Sequence, residues 1–275
     1  MIKLLKNNFK ITNDSIILGI PLIIFISITG AYLDYAQMAA GNLPSILLAL
    51  ITLFFMVSAF SSGWFYMTKK AIKLSKKEFV MDEDRTKAVM DLFRQIPSGI
   101  GKYFLSFLSF AFIGLLIMLL VTNIIGLIGI FTIGAPDIDS NLIKNFGSTI
   151  MEHRAFLNSL SETQLLNLFY WEILLYIGFS FTMFLTFLWV PEIIYGTKNA
   201  LVALFNSIKK VFHKPLKTFL VFIIFAIIHF FMSVISTFAS IHPVIYILTF
   251  ILNFYVLIFS VILVFNYYEI EFLEK

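Results

Sequence analysis

Glu172, His229 and Asp34 are the acidic and histidine residues that fall inside, or at the outer ends of, long apolar stretches of the chain. Burying an ionisable group at membrane depth costs about 2.5–3.5 kcal/mol on insertion scales, so each of the three calls for an explanation. A carboxylate from Glu172 and an imidazole from His229 in the outer half of a helix bundle could bind a polar ligand or relay a proton. Each also has a structural reading. His229 suits an interhelical hydrogen bond worth about 0.6–2 kcal/mol. Glu172, beside Trp171 and Tyr176, suits a side chain that snorkels to the outer interface. Asp34, between Tyr32 and Tyr35, suits an interface position. Asn123, Asn253 and Asn266 are weaker polar points.

Other chemistry finds little support in residue type and spacing. Asp137-x-Asp139 lacks the Gly and distal Glu of a calcium loop, and Glu152-His153 lacks the second His of a zinc helix, so both read as a solvated loop. There is no cysteine, which excludes disulfides, zinc thiolates and a thiol nucleophile. Pro97-Ser98-Gly99 has no accompanying Arg/His set and reads as the break before a helix. No phosphate-binding loop is present. The expectation is a protein with no catalytic residue, no metal and no cofactor, hence not an enzyme.

The elements that must position these residues follow from composition. Of 275 residues, 60% are hydrophobic and 13% charged, with 33 Phe and 11 Tyr; mean hydropathy is +0.94. Soluble domains run near 45–50% apolar and 25% charged, and a soluble fold of this size cannot hide so much apolar surface. Six apolar stretches are long enough to cross a bilayer, at 15–37, 44–68, 102–133, 165–190, 217–240 and 243–267. The N-terminus and the connections at 69–101 and 191–216 hold most of the Lys and Arg residues, whereas the loop at 134–164 holds only Lys144 and Arg154. The positive-inside rule therefore puts both termini in the cytoplasm and 134–164 outside. The basic balance, net +4, sets topology and does not point to nucleic acid. The long first apolar run, with no prompt small-x-small site, reads as a retained span and not a cleaved leader.

Local signals sharpen this picture. Ser161-Glu162-Thr163-Gln164 fits a capping box before the fourth span, Pro44 suits the first turn of the second, and Pro191 ends or kinks the fourth. Aromatics at Trp64, Phe65, Tyr66, Tyr267 and Tyr268 read as an interfacial belt, and Gly126-x-x-Gly129 reads equally as a point of close helix approach or as flexible termination of the third span before Gly134-Ala135-Pro136. Residues 82–96 and 198–213 read as amphipathic elbow helices on the cytoplasmic side. Leu92, Phe93, Leu204 and Phe205 lie on their apolar faces as candidate partner contacts, with Lys198, Lys209 and Lys210 opposite. The two elbows also match in order: Tyr66-x-Thr68-Lys69-x-Ala71 with Tyr195-x-Thr197-Lys198-x-Ala200, Leu92-Phe93 with Leu204-Phe205, and Lys102-x-Phe104-Leu105-x-Phe107 with Lys217-x-Phe219-Leu220-x-Phe222. This predicts a duplicated hairpin, spans 2–3 and 4–5, with both copies in the same orientation.

Gly63-Trp64-Phe65-Tyr66, the basic elbow with Leu92-Phe93, Lys102-Tyr103-Phe104, and Pro191-Glu192-Ile193-Ile194-Tyr195-Gly196 followed by Ala200, Ala203 and Ser207 give the chain a resemblance. It resembles the YciC-like six-span prokaryotic membrane proteins, and is similar to the membrane domain fused to some glycerophosphodiester phosphodiesterases. The resemblance implies the architecture and no catalytic residues, and no soluble phosphodiesterase domain accompanies the matched residues. The expected class is all-α: a prokaryotic plasma-membrane protein with six spans, acting as a scaffold or accessory subunit. Its expected partners are membrane lipids and a protein at the cytoplasmic face. The alternative is a carrier for a lipid or small hydrophobic solute that uses the Glu172/His229 region.

Overall fold

A computed structural model describes residues 2–39, 41–77, 79, 81–135, 156, 158–239 and 242–274. The described residues form helices α1 (Ile2–Asp14), α2 (Gly19–Ala39), α3 (Leu43–Ser75), α4 (Asp82–Met90), α5 (Gln95–Thr132), α6 (Glu162–Thr186), α7 (Trp189–Tyr195), α8 (Ala200–His213), α9 (Pro215–Thr237) and α10 (Pro243–Phe272), with no strand among them. Six segments are long and apolar enough to cross a membrane: 16–39, 43–75, 83–132, 162–195, 215–237 and 243–272. Large apolar side chains along them stay exposed, such as Leu48, Leu120, Phe131, Ile177, Phe230 and Leu248. In water that surface would drive association; in lipid it costs nothing.

The helix ends have local causes. Ser161 and Gln164 close the expected capping box, the Ser161 N–H donating to Gln164 Oε1 at 2.9 Å and the Gln164 N–H to Ser161 Oγ at 3.3 Å. A second box starts α3, where the Asn42 side chain accepts from the Ser45 N–H at 3.0 Å and Pro44 sits in the first turn. The Pro191 ring clashes with a helical carbonyl four residues back, and the helix breaks there: α6 stops at Thr186, and α7 begins at Trp189 after a turn at 187–188. Two expectations are corrected. The helix over 82–96 is interrupted by a turn at 91–94, and Pro97-Ser98-Gly99 lies inside α5 instead of breaking before it. Pro97 is the third residue of α5, where its missing N–H has no intrahelical acceptor to lose.

The chain divides into two compact units, 1–113 with 186–275, and 114–185. In the first, α3 and α5 cross at Gly63 and Gly99. A Cβ on Gly99 would lie 2.8 Å from Gly63 Cα, Ser62 O and Tyr66 Cβ, so only glycine permits that approach. Phe65 stacks between Phe107 and Phe265, with ring centroids 5.5 and 5.8 Å away. Trp64 Nε1 donates to the Leu18 carbonyl at 2.9 Å. Helix α1 packs along α10, where Asn8 Nδ2 donates to the Phe259 carbonyl at 3.1 Å, the Phe9 and Phe259 rings lie 4.6 Å apart, and the Tyr255 hydroxyl donates to Asn13 at 2.9 Å.

In the second unit, α5 and α6 touch at two glycines. A Cβ on Gly129 would strike the Trp171 ring, and one on Gly178 would strike Ile125. Trp171 Nε1 donates to the Gly134 carbonyl at 3.2 Å, which holds the ring over Gly129. Of the expected Gly126-x-x-Gly129 pair, Gly129 carries the close approach, and Gly126 has nothing within 4 Å of an added Cβ. Gly129→Ala must displace the indole and is expected to lower unfolding stability by about 1–2 kcal/mol. Gly126→Ala should leave it unchanged or raise it slightly. Denaturant unfolding in detergent, followed by Trp fluorescence, checks the contrast.

Candidate functional site

The densest polar chemistry lies at the lysine-rich end of the first unit, around Glu192, a carboxylate given no role of its own by residue type and spacing. The break at Pro191 starts the short helix α7, and Glu192, its fourth residue, is 3% exposed. The Lys210 ammonium from α8 and the Tyr268 hydroxyl from α10 both donate to Glu192 Oε2, and Asn206 Nδ2 donates to Oε1 at 3.3 Å. A side chain at Gly196 would collide with this carboxylate, so the glycine makes room for it. Asn199 aims α8 by capping it, accepting from the Leu201 and Val202 N–H groups at 3.0 and 3.1 Å. Lys210, expected on the outer polar face of its elbow, is thus turned inward: a buried carboxylate without a cation is far more costly than a lysine that gives up water.

Three more carboxylates on and just beyond α10 repeat the arrangement. Glu269 accepts from the Tyr195 hydroxyl at 3.3 Å and pairs with Lys76 at 3.4 Å. Glu274 pairs with Lys76 at 2.8 Å. Glu271 holds Lys214 at 2.6 Å and Lys217 at 2.9 Å. Burial alone would lower the Lys76 pKa, but its hydrogen bond to Glu274 and the charges of Glu269 and Glu274 outweigh it and raise the value. Lys69 Nζ and the Tyr103 hydroxyl both donate to the Ile194 carbonyl, at 2.8 and 3.2 Å, near the end of α7, where a cation also meets the negative helix terminus. Each of these carboxylates faces an ammonium, so the arrangement clasps α3, α7, α8, α9 and α10 together at this end. Among the described residues, no three His, Asp or Glu side chains form a metal-binding group.

The aromatic residues expected as an interfacial belt belong mostly to this layer. Trp64, Tyr66, Tyr267 and Tyr268 are buried, and Tyr267 shares a 2.8 Å hydrogen bond with Thr218. The polar tips of Trp64, Tyr267 and Tyr268 find partners inside the chain, which removes their reason to seek headgroups. Asn266 is fully buried as well, and neither of its amide atoms has a hydrogen-bond partner among the described residues.

The residues singled out from sequence fall as follows. His229 Nε2 lies 3.1 Å from Ser260 Oγ, linking α9 to α10, with the Phe225 ring 4.4 Å away; this matches the structural reading of an interhelical hydrogen bond. A shallow cavity of about 300 Å³ beside it is lined by Ile26, His229, Asn253 and Phe254 among others. Asp34 is exposed and has no hydrogen-bond or ionic partner among the described residues. Glu172, in the second unit, is exposed and likewise unpartnered among them. Of the four elbow residues, Leu92 and Leu204 are buried within the chain and Phe93 is half-buried, so an outside partner can reach only Phe205 fully, which is 56% exposed. Asp137, Asp139, Glu152 and His153 lie outside the described residues.

Comparison with known proteins gives no match among family models, curated proteins or solved structures, so the chain's own helices and the clasp around Glu192 carry the functional argument.

Proposed function

We propose that this chain is a non-enzymatic integral membrane protein of the prokaryotic plasma membrane, with both termini cytoplasmic, that serves as a scaffold or accessory subunit. Its lysine-rich end contacts lipid or a protein partner, and α4 and α8 act as elbows at the inner surface. The observation that carries this reading is the clasp itself. Glu192, Glu269, Glu271 and Glu274 are each engaged by a lysine, an arrangement suited to fixing helices. It holds α8 so that Leu201, Val202, Phe205 and Phe212 stay exposed in a row broken only by Lys209. Such a fixed, half-apolar helix suits an interface with a membrane surface or another protein. We also read α3 with α5, and α6–α7 with α9, as copies of one hairpin. In that alignment Tyr66 corresponds to Tyr195 and Lys102 to Lys217.

The test is co-purification of a stoichiometric partner in mild detergent from cells carrying Phe205→Glu with Phe212→Glu. Both side chains are exposed, so folding should persist while the partner is lost. A partner retained at wild-type level by a folded double variant counts against the reading. The cavity beside His229 favours a second reading, a carrier for a lipid or small hydrophobic solute. There, His229→Phe would abolish uptake into vesicles without affecting the partner.

A further inference from the structure

We propose that the cleft between α1, α9 and α10 is a binding site for the headgroup of an anionic phospholipid. The cleft has a volume of about 890 Å³, inside the range of about 300–1,000 Å³ typical of small-molecule sites. Its α1 wall presents Lys3, Lys6 and Lys10. The spacing of three and four residues sets these lysines along one stripe about 10 Å long. All three are exposed and have no carboxylate within ion-pair distance among the described residues.

The two carboxylates that line the cleft do not neutralise that stripe. Glu271 is held by Lys214 and Lys217, and Glu274 by Lys76. The cleft is therefore a cationic site whose anions are already taken, and its unmet need is for negative charge. The stripe is also held rigidly. Asn8, Ile11 and Thr12 on the other face of α1 are buried, and the Asn8 amide is bonded to the Phe259 carbonyl.

The rest of the lining points to a lipid instead of a soluble anion. Leu4, Leu220 and Ile270 give the cleft apolar wall, of no use to inorganic phosphate and suited to the glycerol end of acyl chains. Its depth fits too. Helix α10 has 30 residues and so is about 45 Å long, against about 30 Å of hydrocarbon. The turns bearing Tyr267, Ile270 and Glu271 therefore reach headgroup level when Pro243 sits at the opposite face. A basic pocket between membrane helices at that level is complementary to an anionic headgroup, at about 1 kcal/mol per lysine. The inference rests on the proposed orientation, with the lysine-rich end at the inner leaflet, and names lipid as the contact made there.

The experiment is native mass spectrometry of the full chain released from detergent, titrated with dioleoyl-phosphatidylglycerol or dioleoyl-phosphatidylcholine. Wild type should retain the anionic lipid at least about tenfold better. The triple variant Lys3→Gln/Lys6→Gln/Lys10→Gln should lose that retention by a factor on the order of 100. Lys87→Gln/Lys198→Gln/Lys209→Gln, an equal loss of charge away from the cleft, should stay within about twofold of wild type. Leu220→Glu leaves all the lysines in place but adds a carboxylate to the cleft, and it should also lower retention of the anionic lipid. Equal retention of the two lipids, an equal effect of the two triple variants, or undiminished retention in Leu220→Glu overturns the proposal. Displacement of the bound lipid by an equal concentration of inorganic phosphate overturns its lipid part. The assay contains no protein partner, so its failure is distinct from failure of the scaffold reading.

Discussion

Lys210→Met lowers the unfolding free energy by about 3–5 kcal/mol, the usual cost of leaving one member of a buried pair without its counter-ion. The expectation rests on the asymmetry of the two partners. The Glu192 side chain is 4% exposed and the Lys210 side chain 27%. Glu192 therefore cannot reach water when the ammonium is removed, and the Tyr268 and Asn206 donors do not supply a charge. The reverse change is milder. Glu192→Gln leaves a lysine that can turn toward solvent and an amide oxygen that still accepts from Tyr268, so a loss of about 1–2 kcal/mol is expected. Combining them in Glu192→Gln/Lys210→Met removes both charges and should recover most of what the lysine change alone loses, a coupling that a double-mutant cycle measures directly. Chemical unfolding of the four proteins in one detergent checks all three values. A Lys210→Met protein as stable as wild type would remove the clasp from the account of this end of the bundle.

Gly99→Val is the second large effect, because it acts on backbone and not on a side chain that can move aside. The added atoms would meet Gly63 Cα and the Ser62 carbonyl at 2.8 Å, so α3 and α5 have to separate. Separation also loosens the Phe65–Phe107 stack between the same two helices. A loss of about 3 kcal/mol is expected, seen as a lower midpoint of unfolding and a smaller folded fraction after purification. Gly101, two residues on, has nothing within 4 Å of an added Cβ and serves as the control. Gly101→Ala should stabilise the protein by up to about 1 kcal/mol through helix propensity alone. Equal effects at 99 and 101 would mean that the crossing point is not at Gly63 and Gly99.

Neither the Glu192–Lys210 pair nor the Gly63–Gly99 crossing was legible in the sequence, whereas the helices that carry them were. The six apolar helices were legible because hydropathy over some twenty residues is a one-dimensional property. The Ser161–Gln164 box was legible because its partners lie three residues apart. Gly63 and Glu192 stood in the recognised segments, but their partners are Gly99, Lys210 and Tyr268, chosen by tertiary packing. Helical spacing placed Lys210 on a polar face correctly in period and wrongly in direction, since a buried anion can reverse which side of an elbow is solvated. The same limit applies to Leu92 and Leu204, whose apolar stripe is satisfied from within the chain. Helix α1 is the least legible element of all. Thirteen residues with three lysines carry no membrane-length signal, and their packing on α10 is what fixes their place in the bundle.

That packing has a consequence for the order of assembly. The hydrogen bond from Asn8 to Phe259 joins positions 251 residues apart. At about 5–20 residues per second, α1 leaves the ribosome on the order of ten seconds or more before its seat on α10 is made. It must pass that interval elsewhere, and an amphipathic helix with lysines along one side can rest on the membrane surface meanwhile. A helix made 251 residues before its partner thus docks late, and a chain cut off before α10 would leave the Asn8 amide without the Phe259 carbonyl that seats it.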